Sequence, residues 1–155
     1  MKKLIALVIA IVMMAALAVP AFAATVTAAG SSNTEVSYEP SASYTVTIPD
    51  SATIGSTATV SVSNAVLAAN TQIKITVAPQ AGDTWVLANG DETLNYTITK
   101  GNDQILKGGV VHTHAAGAAD SSTELAFALE AGQNPKAMKY TQTITFTVAV
   151  EGTQA

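Results

Sequence analysis

The sequence predicts an all-β protein whose strands form one two-sheet antiparallel sandwich. Three observations lead there. Apolar residues recur with period two along most of the chain, and short clusters of glycine, asparagine and aspartate separate those runs. Threonine is also abundant, and its β-branched side chain suits a pleated surface better than a helix. No apolar stripe at i, i+3, i+4 spacing is sustained beyond residue 23.

The strands follow in order. Tyr44, Val46 and Ile48 alternate with Thr45 and Thr47 before Pro49, and Val60 and Val62 alternate with Thr59, Ser61 and Ser63. Ile73, Ile75 and Val77 alternate with Lys74 and Thr76; Leu94, Tyr96 and Ile98 alternate with Asn95, Thr97 and Thr99. Leu125, Phe127 and Leu129 alternate with alanines, and Ile144, Phe146, Val148 and Val150 alternate mainly with threonines. Weaker strands are expected at Thr34–Tyr38, Thr84–Leu87, Gln104–Leu106 and Val110–His114. Ala81-Gly82-Asp83, Asn89-Gly90-Asp91, Gly101-Asn102-Asp103 and Gly108-Gly109 supply turns. Seven to ten strands in this length make an immunoglobulin-like or jelly-roll sandwich. Two stretches are ambiguous: Asn64–Asn70 tolerates a helical turn, and Ser121–Glu130 tolerates a helix.

The chain begins with Met1-Lys2-Lys3, an uncharged apolar run Leu4–Ala18, a break at Val19-Pro20, and small residues at Ala21 and Ala23. This order is that of a secretory signal peptide spanning residues 1–23, cut after Ala23. The run is shorter than the roughly 20 residues of a spanning helix and has no positive cluster after it, so no membrane span is expected in the mature chain. No lipobox cysteine follows. The remaining organisation is a polar arm or edge strand over 24–42, a sandwich domain over 43–151 and a tail over 152–155.

Residues 24–155 carry five lysines, no arginine and eleven carboxylates, a net charge of −6. Such a chain lacks the basic footprint of a nucleic-acid binder and is not drawn to anionic lipid. Without cysteine, the fold is held outside the cell by its packed core alone.

Few residues carry chemistry. His112 and His114 are the only histidines; at i and i+2 on a strand they share one face and can present two imidazoles to one zinc or copper ion, with Asp120 or Glu124 as a third ligand. The glycines and alanines flanking them favour the alternative of an exposed loop with solvated histidines. The carboxylates are scattered singly apart from Asp91-Glu92, and glycosidase chemistry needs two of them facing across a cleft. No Gly-x-Ser-x-Gly motif, phosphate-cradling glycine loop or histidine near a marked serine is present, so no enzyme activity and no cofactor are expected. Trp85, the only tryptophan, is expected in the core rather than on a sugar-binding platform.

The strand Tyr44-Thr-Val-Thr-Ile-Pro49, the later Thr59-Val-Ser-Val62 and the closing Tyr140-Thr-Gln-Thr-Ile-Thr-Phe-Thr-Val148 resemble small secreted surface proteins of Gram-positive bacteria, built as one immunoglobulin-like or WxL-like sandwich. Trp85-Val86-Leu87 matches only the letters of the WxL motif, and no Leu-Pro-x-Thr-Gly sorting signal is present. The resemblance implies an envelope-associated or adhesive role and assigns no site residues. The expected function is therefore a non-enzymatic, secreted structural or adhesive protein of the cell surface, noncovalently attached and assembling through edge strands with itself or with other envelope proteins. The alternative is an extracellular module that binds cell-wall glycan or another ligand.

Overall fold

The computed structural model describes Tyr38 and residues 41–153. The expected signal peptide, and the expected strand Thr34–Tyr38 apart from Tyr38, lie outside the described residues. Among the described residues there is no helix, and nine strands are formed. They are β1 (Ser43–Thr47), β2 (Thr57–Val66), β3 (Thr71–Pro79), β4 (Val86–Asn89), β5 (Glu92–Lys100), β6 (Asp103–Ile105), β7 (Gly109–Ala115), β8 (Ser121–Leu129) and β9 (Ile144–Gly152).

All pairings are antiparallel and form two sheets. One, curled, runs β1-β2-β8-β5-β4 with β6 also on β5; the other runs β7-β3-β9. Every strand expected from clear alternation is present. The weaker ones shift by a residue or two: β4 begins at Val86 rather than Thr84, and at its far end Asn89 pairs with Glu92, leaving Gly90-Asp91 as a two-residue turn with Gly90 at φ 60°.

Both ambiguous stretches resolve as strand. Ser121–Leu129 is β8, with Leu125 and Phe127 buried on one face and paired in register with β2 and β5. The helical turn considered for Asn64–Asn70 does not form. Strand β2 continues to Val66, and the chain reverses at Ala69-Asn70, Asn70 adopting φ 59°. The register of β1 against β2 moves from Ser43↔Val66 to Thr45↔Ser63, a bulge that sets Asn64 at φ 51°. Asparagine tolerates this left-handed backbone better than most residues, which explains both sites.

The core lies between the sheets. Val60, Val62, Ile73, Ile75, Val77, Ile98, Val111 and Leu125 are completely buried. A fully buried side chain of this kind contributes about 1.5–3 kcal/mol by leaving water, so this core can hold the fold without disulfides.

Candidate functional site

His112 and His114 do not lie in an exposed loop, and their side chains are not solvated. Both stand on β7, in register with Ile75 and Ile73 of β3, and point into the sandwich with 5% and 2% of their surface exposed. The flanking glycines serve the turn into β7 rather than a flexible loop. Gly108 N–H donates to Val77 O at 2.8 Å, and Gly109 sits so close to Leu106 O that an added Cβ would lie 2.8 Å from it. A bulge between Ile75↔His112 and Thr76↔Val110 inserts Val111, so the consecutive residues Val111 and His112 are both buried.

What makes the burial tolerable is hydroxyl groups supplied by β8. Ser121 and Thr123 are in phase with Leu125 and Phe127, and so face inward. His112 Nδ1 lies 2.8 Å from Thr123 Oγ1, and its Nε2 lies 3.0 Å from Ser121 Oγ. His114 Nδ1 meets the same Ser121 Oγ at 2.8 Å. One hydroxyl has a single proton to donate, so when Ser121 donates to one ring the other must donate to it. The buried His114 Nε2 has no hydrogen-bond partner. Desolvation, then the nearby charges of His114 and Lys100, lower the pKa of His112 below its ordinary value, which keeps it neutral in the fold.

The structure brings the two expected metal-ligand candidates together but not their third partner. Asp120 Oδ1 accepts from the backbone N–H of Asn64 at 3.0 Å, capturing the donor exposed by the β2 bulge. Glu124 pairs with Thr59 on the opposite face of the sheet from Ser121 and Thr123. Among the described residues no group of three or more His, Cys, Asp or Glu side chains could hold a metal ion. The expectation that no histidine lies near a marked serine also changes, because folding sets Ser121 between two imidazoles. Serine-to-imidazole reach is what nucleophile activation requires, yet the outer nitrogen of His112 faces a threonine hydroxyl where a carboxylate would orient and charge-stabilise the ring. The signal that could have revealed this cluster is polar: Ser121 and Thr123 share the alternation phase of Leu125 and Phe127.

Trp85 lies in the core, 6% exposed, donating its indole N–H to Ile105 O at 2.7 Å and tilted against the Tyr96 ring at 6.1 Å. It offers no platform for a sugar ring. Burial pushes the Tyr96 phenol up to about 12, and its hydroxyl donates to Gln142 Oε1 at 2.8 Å.

The opposite flank is open among the described residues. There, β1 and β9 are the terminal strands of their sheets, and each pairs with a neighbour on one side only. Between them runs a groove of about 990 Å³, lined by apolar side chains including Val46, Ile48, Leu94, Phe127, Ile144 and Phe146. Ile144, Phe146, Val148 and Val150 share a face with the buried Pro79, Val77, Ile75 and Ile73 of β3 but are themselves only half-buried or exposed. The stretch Lys139–Thr143 completes the wall. Ala88 and Thr141 bridge it to β4, and Gln142 accepts from Val86 N–H at 3.1 Å while donating to Thr84 O at 3.2 Å. Charges are sparse on the two strands: β1 has none, and β9 has only Glu151, which pairs with Lys74 at 3.2 Å.

Among the described residues no helix is long and apolar enough to cross a membrane. Comparison with protein-family models, with curated proteins and with solved structures finds no match to this chain.

Proposed function

We propose that this chain is a secreted, non-enzymatic structural or adhesive subunit of the bacterial cell surface, one that associates with copies of itself or with other envelope proteins through edge strands. The observation that carries the reading is the open flank, where two edge strands border an apolar groove. Edge strands present unbonded N–H and C=O groups, and proteins that remain monomeric usually block them with lysine, proline or inward-pointing charge. Strand β1 has no such device, and the single charge of β9 is matched by Lys74 within its own sheet. An extended segment that docks here gains ladder hydrogen bonds from the edge and apolar burial from the groove.

The secretory start of the sequence and the resemblance to small Gram-positive surface proteins support the location. The acidic, arginine-free composition fits a partner other than nucleic acid. An immunoglobulin-like arrangement of the two sheets belongs to the same proposal.

The test uses residues 24–155, purified and examined by light scattering and electron microscopy. Assembly beyond the monomer is expected. Thr145 is exposed on β9 at the groove wall, so Thr145→Lys places a blocking charge on that edge at little cost to the fold. It should return the protein to monomer with an unchanged circular dichroism spectrum. A parent protein that is monomeric at every concentration sinks the reading, and so does a Thr145→Lys variant that assembles normally.

A further inference from the structure

We infer that Asn89-Gly90 is a site of self-modification, in which the Gly90 nitrogen displaces the side-chain amide of Asn89 and so unlatches Lys139 from the β4-β5 hairpin. This chemistry is independent of the assembly proposed above.

Asn89-Gly90 is the only asparagine–glycine pair in the chain. The order matters because the reaction closes a five-membered ring on the main chain. Gly90 N, after losing its proton to solvent base, bonds to Asn89 Cγ. The Cγ–Nδ2 bond breaks, and the amide nitrogen leaves as ammonia, regaining that proton from water. Water then opens the cyclic imide at either carbonyl. Opening at one gives aspartate, and opening at the other gives isoaspartate, with the chain running through the former side chain. No oxidant or reductant is consumed. Any residue but glycine after the asparagine sets a side chain beside the attacking nitrogen and stiffens the backbone that must bend toward Cγ.

The fold places this pair where the reaction has both access and a consequence. Asn89 ends β4, Gly90 opens the turn at φ 60°, and both are exposed to water. Among the described residues the Gly90 N–H donates to no acceptor, so the nucleophile is not engaged. The leaving group is. Asn89 Nδ2 donates to Lys139 O at 2.7 Å, which fixes the amide and restrains the rotation that ring closure requires. The same stretch meets the hairpin again at the Ala88–Thr141 bridge, whose two N–H···O bonds are each 3.0 Å, and at Gln142, which reaches Val86 and Thr84. When Lys139 lifts from the hairpin, the amide turns freely and the ring closes. The product cannot remake the bond. A carboxylate only accepts, so it sets an anionic oxygen against the Lys139 carbonyl, and isoaspartate also adds a methylene to the main chain of the turn. The latch therefore opens once and stays open.

The test holds residues 24–155 in mildly alkaline buffer, native and in urea, and follows every asparagine by peptide mapping and mass spectrometry. Asn89 is expected to convert ahead of the other asparagines in the native protein, and more slowly there than in urea, where no carbonyl holds its amide. Asn89→Asp supplies one product directly. In that variant the Ala88 and Thr141 amides should exchange about two- to tenfold faster than in the parent, the worth of one hydrogen bond, while those of Ile98 and Leu125 stay protected. Should Asn89→Asp not fold, the aged native protein, separated by charge into modified and unmodified forms, gives the same comparison. An Asn89 that stays intact in the native protein while the urea sample converts overturns the site. Equal rates in the two conditions overturn its control by Lys139. A Thr141 amide that exchanges as in the parent overturns the latch.

Discussion

The two flanks of the β7-β3-β9 sheet invert the usual relation between polarity and burial. Ile73 of β3 sits between His114 of β7 and Val150 of β9, and all three side chains share one face. The histidine is 2% exposed and the valine 48%. What separates them is the sheet opposite. Strand β8 lies across from β7 and brings the hydroxyls of Ser121 and Thr123, whereas β9 is a terminal strand among the described residues, its Ile144 and Phe146 lining the open groove and its Val150 exposed beyond it. Burial at a given position is thus set by whether the facing sheet reaches it, and side-chain chemistry then adapts: hydrogen bonds where cover is complete, an uncovered apolar stripe where it is not.

The largest expected effect tests that contrast within one register pair. Ile73→Ala removes a completely buried side chain beneath the facing sheet and should cost about 2–5 kcal/mol. Val150→Ala, on the same face and directly opposite in the ladder, should cost about 0.5 kcal/mol, as substitutions at exposed positions usually do. Urea denaturation of the two variants measures both. Equal losses would mean that Val150 is covered in solution and that the flank is closed.

The uneven legibility of the fold has the same origin. Strands β2, β3, β5, β8 and β9 alternate cleanly because one face of each turns toward the interior, and their turns carry the expected glycine and asparagine. Strand β7 is less legible. Its bulge puts Val111 and His112 on the interior in succession, and this breaks the period of two on which strand recognition depends. The histidine cluster is not visible locally at all, because the hydroxyls that satisfy it arrive on another strand, nine and eleven residues further along from His112. The same limit applies to Asp120: beside the histidines in sequence it suggests a ligand, but the fold commits its carboxylate to the backbone of Asn64. The groove is not legible in the sequence, since the shape between two sheets is not written in either strand.

An intermediate effect probes the closed flank through pH. His112 is held neutral in the fold, so its folded pKa lies below the unfolded value of 6.5. The unfolded chain therefore binds more protons as pH falls below 6.5, and the stability carried by neutral His112 is fully present above that pH and progressively lost beneath it. Desolvation is the largest cause of the shift, and the nearby His114 and Lys100 add to the cost of a proton on His112. Asp83 has a lowered pKa as well, but it titrates below its ordinary 3.8 and so outside the window from 6.5 to about 5 in which His112 is probed. The urea midpoint should thus fall between pH 7.5 and pH 5, and in His112→Gln the fall should shrink. A wild-type midpoint that is flat across this range would show that β7 opens to water more readily than its burial implies.

The smallest effect concerns what holds β9 in place on the open side. Its ladder to β3 runs through nine register pairs from Thr71↔Gly152 to Pro79↔Ile144, and one exposed ion pair, Lys74 with Glu151, lies across the same two strands. Exposed pairs contribute about 0–1 kcal/mol, and at roughly 1 M salt the screening length drops to about 3 Å. Lys74→Ala should therefore cost less than about 1 kcal/mol at low ionic strength and almost nothing at high salt. If instead the variant releases β9, seen as rapid amide exchange along Ile144–Gly152 with the rest of the sandwich still protected, the ladder alone is too weak to keep that strand seated. The open flank would then be a place where β9 leaves its own sheet, and not simply one where another strand arrives.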